Sequence, residues 1–162
     1  MHVLFGEHKD LNYYQGLNFI GELFSLTYGK ILGYVLLERF STRYFVPYMR
    51  SEVEFEETVR KHLELCFLLL KQEVPNIFNI LHIDQDNLVA SLGFLISMIL
   101  TWCASRIDNE EMVFRIFDFM VCTDSNKDMI AYLIASICIE MIRNYRLDGS
   151  QDVGIDLNIR YT

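Results

Sequence analysis

Four cysteines and four histidines are the side chains of this 162-residue chain from which a zinc site or a thiol or imidazole nucleophile would be built. No Cys-x-x-Cys pair and no His-Glu-x-x-His motif occurs, so neither set has the spacing of a zinc site, and we predict no bound metal. Each cysteine lies in an apolar run, which predicts buried free thiols in a cytosolic protein. The residues are Cys66, Cys103, Cys122, Cys138, His2, His8, His62 and His82.

Gln15 offers a different chemistry, because a carboxamide can both accept a hydrogen bond from water and donate one to it. It belongs to a polar stripe at helical spacing with Asn18, Glu22 and Ser25, at the start of an amphipathic segment. Gly16 beside it would let another backbone approach closely. Taken alone, a glutamine in such a stripe is more often a solvated surface residue than a functional one.

The elements that must position these residues are helices almost throughout. Ser51-Glu-Val-Glu54, Asp108-x-x-Glu111 and Ser125-x-x-Asp128 have the pattern of helix starts. A separate helix is predicted from Leu32 to Tyr44. Inward stripes are predicted for Val59, Leu63, Cys66 and Leu70, for Val113, Ile116, Phe117 and Met120, and for Ile130, Leu133, Ile137, Met141 and Tyr145. The prediction is one all-α domain.

The composition restricts the class of function. The chain is 52% hydrophobic, which excludes disorder as its main state. Its 14 basic and 22 acidic residues give a net charge of -8, which disfavours nucleic acid as a partner because phosphate binding needs clustered Lys and Arg.

Two segments leave alternatives open. The uncharged stretch 87–105 is close to the minimum length of a membrane span, although a buried core helix fits it better. Trp102 within it is predicted to be a core residue. In the C-terminal tail, residues 148–162, apolar and polar side chains alternate with period two from Val153 to Thr162. This tail is either mobile or an edge strand that needs a partner.

Residues 12–20, Asn-Tyr-Tyr-Gln-Gly-Leu-Asn-Phe-Ile, closely resemble the Tyr-x-Gln-Gly-hydrophobic-Asn signature of TBC domains, the all-α activators of Rab GTPases. Three further stretches resemble TBC segments in the same order. They are Tyr44-Phe45, the segment from Glu73 to His82, and the segment from Trp102 to Asp118 with Phe117 in place of a tryptophan. The resemblance covers most of the chain and implies a TBC-like domain over residues 1–147.

The resemblance implies a partner, a Rab-family small GTPase, and a role for the motif. In the family, the motif's glutamine orients the water that attacks GTP, and Gln15 matches it. Tyr13, Tyr14, Gly16 and Asn18 would support the motif. The chain would need no cofactor of its own, because the partner GTPase carries GTP and Mg²⁺.

The family's second finger, the arginine of an Ile-x-x-Asp-x-x-Arg motif, has no match in this chain. The resemblance is therefore to the C-terminal two-thirds of a TBC domain that lacks its N-terminal helices, either a truncated gene model or a degenerate copy. We expect weak activation of GTP hydrolysis or none, because an arginine finger contributes roughly a thousandfold or more in rate. We also expect an exposed apolar face that permits self-association.

Finer details of residues 37–49 and 117–120 are most similar to the endoplasmic-reticulum-anchored branch of the family. They imply a cytoplasmic protein peripheral to endoplasmic reticulum or Golgi membranes, with a role in vesicle traffic. Two alternatives stay open: a non-catalytic TBC-like module that binds a GTPase or acts as a scaffold, and a helical membrane protein that spans at residues 87–105.

Overall fold

A computed structural model of the chain describes residues 2–74, 76–77, 93–123 and 128–147. All the elements of regular secondary structure that the structure describes are helices, which confirms the predicted fold class. The helices are α1 (His2–Glu7), α2 (Leu17–Arg43), α3 (Val46–Met49), α4 (Glu52–Glu73), α5 (Gly93–Thr101), α6 (Glu110–Cys122) and α7 (Met129–Leu147). The period-two tail, Ser125 and the whole segment 78–92 lie outside the described residues.

The chain divides into two compact units, residues 1–61 and residues 62–162. The first unit contains α1, α2, α3 and the first turns of α4, and it carries the whole Tyr-x-Gln-Gly segment. Large side chains such as Leu4, Leu17, Phe24 and Phe45 are fully buried within the core. The second unit contains the rest of α4 together with α5, α6 and α7.

Helix α2 doubles back on itself at Gly29, whose backbone (φ 78°, ψ 168°) is not helical. We call residues 17–28 the first limb and residues 30–43 the second limb. The limbs pack closely, since the rings of Phe24 and Phe40 lie 5.2 Å apart. A side-chain carbon at Gly33 would lie only 2.8 Å from the backbone of Phe24. The predicted separate helix is therefore confirmed as the second limb, and glycine supplies both the reversal and the close approach.

By length and composition, α2 is the one helix among the described residues that could cross a membrane, and only 22% of its most apolar window is buried. A straight span needs about 20 residues to cross about 30 Å of hydrocarbon. Each limb of α2 is shorter than such a span. The first limb, residues 17–28, rises only about 18 Å. Within the alternative span predicted at residues 87–105, the structure describes one helix, Gly93–Thr101.

The core of the second unit confirms one predicted stripe and corrects another. Val113, Ile116, Phe117 and Met120 on α6 are all buried, as the sequence predicts. On α7 the prediction is confirmed for Ile130 and wrong by one position for the three residues after it, and the Tyr145 side chain lies outside the described residues. The fully buried residues there are Ile130, Ala131, Ile134, Ala135, Cys138 and Ile142, while Leu133, Ile137 and Met141 are half-buried. No charged residue fixes the inward face of α7 over residues 129–139, because that stretch carries no charge.

The turn after α5 holds the single tryptophan in the core. Trp102 is buried, as predicted, and its ring lies 5.3 Å from that of Phe117. Trp102 and Cys103 both have positive φ values, 47° and 70°, which L-residues adopt rarely and at a cost. The turn is also bonded through side chains, since Arg106 Nε donates to Ser97 Oγ at 2.7 Å. Packing and hydrogen bonds thus hold a strained backbone in place.

Two local predictions are corrected and one is confirmed. The hydroxyl of Ser51 accepts from the Glu54 amide at 3.2 Å, so the predicted cap of α4 is present. Helix α6 is capped by Asn109 rather than Asp108, because the Asn109 side chain accepts from the Met112 amide at 3.0 Å. Three of the cysteines are buried free thiols, as predicted, but Cys122 is exposed because it lies in the last turn of α6, away from the core stripe.

Candidate functional site

A tight turn at residues 13–16 brings the motif residues together immediately before α2. Gly16 adopts φ 113° at the N-cap of the helix, a left-handed conformation that a residue with a Cβ would enter only with strain. The Leu17 amide donates to the carbonyl of Tyr14 at 3.3 Å, and the Phe19 amide donates to the carbonyl of Gly16 at 3.1 Å. The backbone therefore reverses at the glutamine and passes directly into the first limb.

Tyr14 anchors this turn in the core of the first unit. Its side chain is only 4% exposed, and its ring lies 6.2 Å from Phe45 and 5.8 Å from Tyr48. Burial raises the pKa of the Tyr14 phenol well above its ordinary value of 10.0, with smaller contributions from neighbouring Tyr48 and Tyr13. Tyr14 therefore stays neutral at physiological pH and acts as an anchor for the turn.

Asn12 ties the approach to the turn to the end of α3. Its amide donates to the carbonyl of Met49 at 2.5 Å, and its side chain donates to the carbonyl of Arg50 at 2.7 Å. This asparagine belongs to the motif segment of residues 12–20, but the sequence predicts no role for it. Its partners lie 37 and 38 positions away along the chain, so no local pattern could have revealed them.

Gln15 lies on the solvent side of the turn. Its side chain is exposed, and its carboxamide has no hydrogen-bond partner among the residues that the structure describes. On either side of it, Tyr13 and Asn18 are joined by a hydrogen bond from the phenol to the amide oxygen at 3.3 Å. The edge of the Tyr13 ring also meets Phe5 at 6.5 Å. A carboxamide is thus presented to solvent from a turn that is fixed on both sides.

The five motif residues of the sequence prediction are therefore brought together: Tyr14 and Gly16 are buried, while Tyr13, Gln15 and Asn18 are exposed. This geometry presents to solvent, from a held backbone turn, the one acceptor and one donor that a water-orienting residue requires. The catalytic role of Gln15 stays a prediction.

Arginines near this turn have different surroundings. Arg50 is exposed, and its carbonyl is the acceptor for Asn12, which places its backbone beside the motif segment. Arg43 lies over the ring of Tyr44, 5.4 Å from the ring centre. Of these two, Arg50 is the one whose backbone is bonded to the turn that carries Gln15.

One group of residues in the described part of the chain could hold a cation. Glu7, His8 and Glu38 bring one ligand atom each to within 4.8 Å of one another. These groups already have partners, because His8 Nε2 lies 2.9 Å from a carboxylate oxygen of Glu38 and Tyr34 donates to Glu7 at 2.9 Å. The contacts link the end of α1 and the residue after it to the second limb of α2. No local pattern predicts this group, because His8 and Glu38 are far apart in the chain.

Comparison with protein families gives a match over most of the chain. The model of the Rab-GTPase-TBC domain matches residues 1–147, which include the turn, both limbs of α2 and all seven described helices. No curated protein matches the chain.

Proposed function

Because this chain belongs to the Rab-GTPase-TBC domain family, we propose that it acts on a Rab-type GTPase and stimulates GTP hydrolysis in vesicle traffic through Gln15. The observation that carries the proposal is the exposed carboxamide of Gln15, presented by a turn that Tyr14, Gly16 and Asn12 fix from the core side. The proposed place of action is the cytoplasmic surface of endoplasmic reticulum or Golgi membranes.

Hydrolysis of GTP requires an attacking water in line with the γ-phosphate and compensation of the charge that develops on the phosphate oxygens. In the proposed mechanism, Gln15 meets the first requirement by accepting from the water and donating to a phosphate oxygen. The turn supplies positioning, because a water held in one orientation does not pay the entropy of being placed during the reaction. GTP and Mg²⁺ come with the partner GTPase.

The second requirement has no matching motif here, since the chain contains no Ile-x-x-Asp-x-x-Arg sequence. An arginine finger is worth about 10³ to 10⁵ in rate, and full activation of a small GTPase is about 10⁵-fold. The positioning of water alone therefore leaves an acceleration of roughly 1- to 100-fold. We propose that these 162 residues are an activator at the weak end of this range.

A second function is favoured by the same missing arginine. A TBC-like module without it would bind a GTP-loaded Rab, or act as a scaffold for traffic proteins, with no change in the hydrolysis rate. The two functions differ in one measurable property: only the activator depends on the carboxamide of Gln15.

The deciding experiment measures single-turnover GTP hydrolysis by a panel of Rab proteins, with and without the chain. We expect a small acceleration for at least one Rab, lost in Gln15→Ala and kept in Gln72→Ala, a matched control because Gln72 is an exposed glutamine on α4. Binding of each variant to GTP-loaded Rab is measured in parallel. Binding without acceleration, equal in all three proteins, would establish the non-catalytic module. Absence of both binding and acceleration would reject both functions.

A further inference from the structure

The two limbs of α2 meet in an exposed tip, which we define as residues 25–32. Every residue of this tip is exposed, and the exposed fractions of Ile31 and Leu26 reach 86% and 74%. A helix that lies along a protein core buries a side chain at every third or fourth position. A run of consecutive exposed residues on both sides of a reversal therefore means that the tip extends beyond the core that its limbs build.

The chemistry of the tip differs from that of the chain around it. Lys30 is the one charged residue between Glu22 and Glu38, although the whole chain carries 22 acidic and 14 basic residues. Tyr28 stands beside the reversal and is half-exposed. An apolar end without acidic groups, bordered by a tyrosine and a lysine, has the composition of segments that lie at the boundary between headgroups and acyl chains. The long stem of lysine allows its ammonium group to reach the headgroups while the neighbouring side chains are immersed.

The Thr27 hydroxyl in the tip already has an internal partner, which lowers its cost of leaving water. It donates to the carbonyl of Leu23 at 2.9 Å. The non-helical backbone within α2 is confined to Gly29. The carbonyls of the turn before Gly29 and the amides of the turn after it have no partner within their own helices, so they need the hydrated headgroup region rather than the acyl core. At Gly29 no atom lies within 4 Å of the position that a side-chain carbon would take, so the reversal faces open space.

The length of the tip agrees with shallow insertion. Four residues on the first limb and three on the second, at about 1.5 Å of rise per residue, extend about 5–6 Å along the limb axes. Interfacial segments bury their apolar side chains about 5–10 Å into a bilayer. A single monolayer can therefore cover the exposed side chains while the limbs and the turn at residues 13–16 remain in water.

We infer that residues 25–32 form a membrane-insertion tip whose occupant is the interfacial layer of a lipid bilayer. A protein partner would need a preformed pocket that matches a convex end, whereas a fluid monolayer closes around it. The inference does not depend on any activity toward GTPases. It concerns a surface at the opposite end of the first limb from Gln15, about 18 Å away along the helix.

The test is flotation of the full chain with vesicles of phosphatidylcholine and phosphatidylserine. We expect the wild-type chain to float with the vesicles. The double variant Leu26→Asp/Ile31→Asp should raise the lipid concentration needed for half-maximal binding by at least about tenfold. The control Leu68→Asp removes another large exposed apolar side chain, 62% exposed on α4, and should leave binding unchanged. Circular dichroism of each variant checks that the helices persist.

A second measurement locates the contact. Tyr28→Trp places a fluorophore in the tip, and brominated lipids should quench its emission while the buried Trp102 stays unquenched. The inference fails if the wild-type chain does not bind vesicles, if the double variant binds as well as wild type, or if the tip fluorophore escapes quenching. It also fails if light scattering shows that the same two substitutions dissolve a dimer of a chain that ignores lipid, because the occupant would then be a second copy.

Discussion

Gly33 is the position where the reversal of α2 makes its sharpest demand on the sequence. A methyl group at this position would meet the carbonyl carbon and oxygen of Phe24 and the Cα of Ser25, each at 2.8 Å. Favourable contacts between carbon atoms lie at about 3.5–4.0 Å. Because the obstacle is backbone, it cannot rotate aside, and the two limbs must separate by about 1 Å to admit an alanine.

The expected free-energy change has two opposing parts. Overpacking of this kind costs about 1–3 kcal/mol, and the better helix propensity of alanine returns about 0.5–1 kcal/mol. Gly33→Ala should therefore lower the free energy of unfolding by about 1–2 kcal/mol, or the melting temperature by about 2–8 °C. At Gly21, the nearest atom is Leu37 Cδ2 at 3.2 Å, which can move, so Gly21→Ala should be nearly neutral.

Gly6→Ala is the matched control, because nothing lies within 4 Å of its added methyl group and the residue is also helical. This substitution should stabilise the chain by about 0.5–1 kcal/mol. Urea denaturation followed by far-UV circular dichroism gives the three values. If Gly33→Ala is as stable as Gly6→Ala, the backbones of the two limbs do not approach each other at Gly33, and α2 does not fold back at Gly29.

Three further predictions follow from burial and hydrogen bonding. Burial raises the pKa of the Cys66, Cys103 and Cys138 thiols above their ordinary 9.0. The unfolded chain therefore releases these protons at a lower pH than the folded chain does. Above about pH 9 the free energy of unfolding should fall by up to about 1.4 kcal/mol per pH unit for each thiol. Denaturation curves that coincide between about pH 8 and pH 11 would contradict this. Cys122 is exposed, so a thiol reagent should modify it rapidly in the native protein and reach the three buried thiols only on unfolding; simultaneous modification of all four would disprove the assigned burial. Asn12→Ala removes the hydrogen bond to the Arg50 carbonyl, which should cost about 0.5–1.5 kcal/mol and speed amide exchange in the turn; unchanged exchange there would show that the turn does not need this link.

Local patterns were sufficient where a residue acts through its immediate neighbours in the chain. The Ser51 cap at the start of α4 depends only on residues within one helical turn. The inward face of α6 was predictable because Glu110, Glu111 and Asp118 leave one side of the helix for solvent. In each case, the polar and apolar residues of the segment permit one arrangement.

Local patterns do not decide the inward face of helix α7. Its residues 129–139 are uncharged on every side, so two neighbouring stripes have nearly equal apolar character. The structure buries Ile134, Cys138 and Ile142 rather than the predicted Leu133, Ile137 and Met141. The choice depends on the shapes of the side chains opposite, which a pattern along one helix does not contain.

The sequence by itself determined the all-α class and the positions of most helices, because these depend on hydrogen bonds and periodicity within short segments. It predicted Gln15 on a helical polar stripe, whereas the structure has Gln15 in a turn before α2. Only the tertiary structure decided that α2 folds back against itself at Gly33, that Asn12 is bonded to Arg50, and that residues 25–32 are left exposed. These features join residues that are distant in the chain, or depend on which surface the rest of the chain leaves uncovered. Neither property is encoded in the spacing of neighbouring residues.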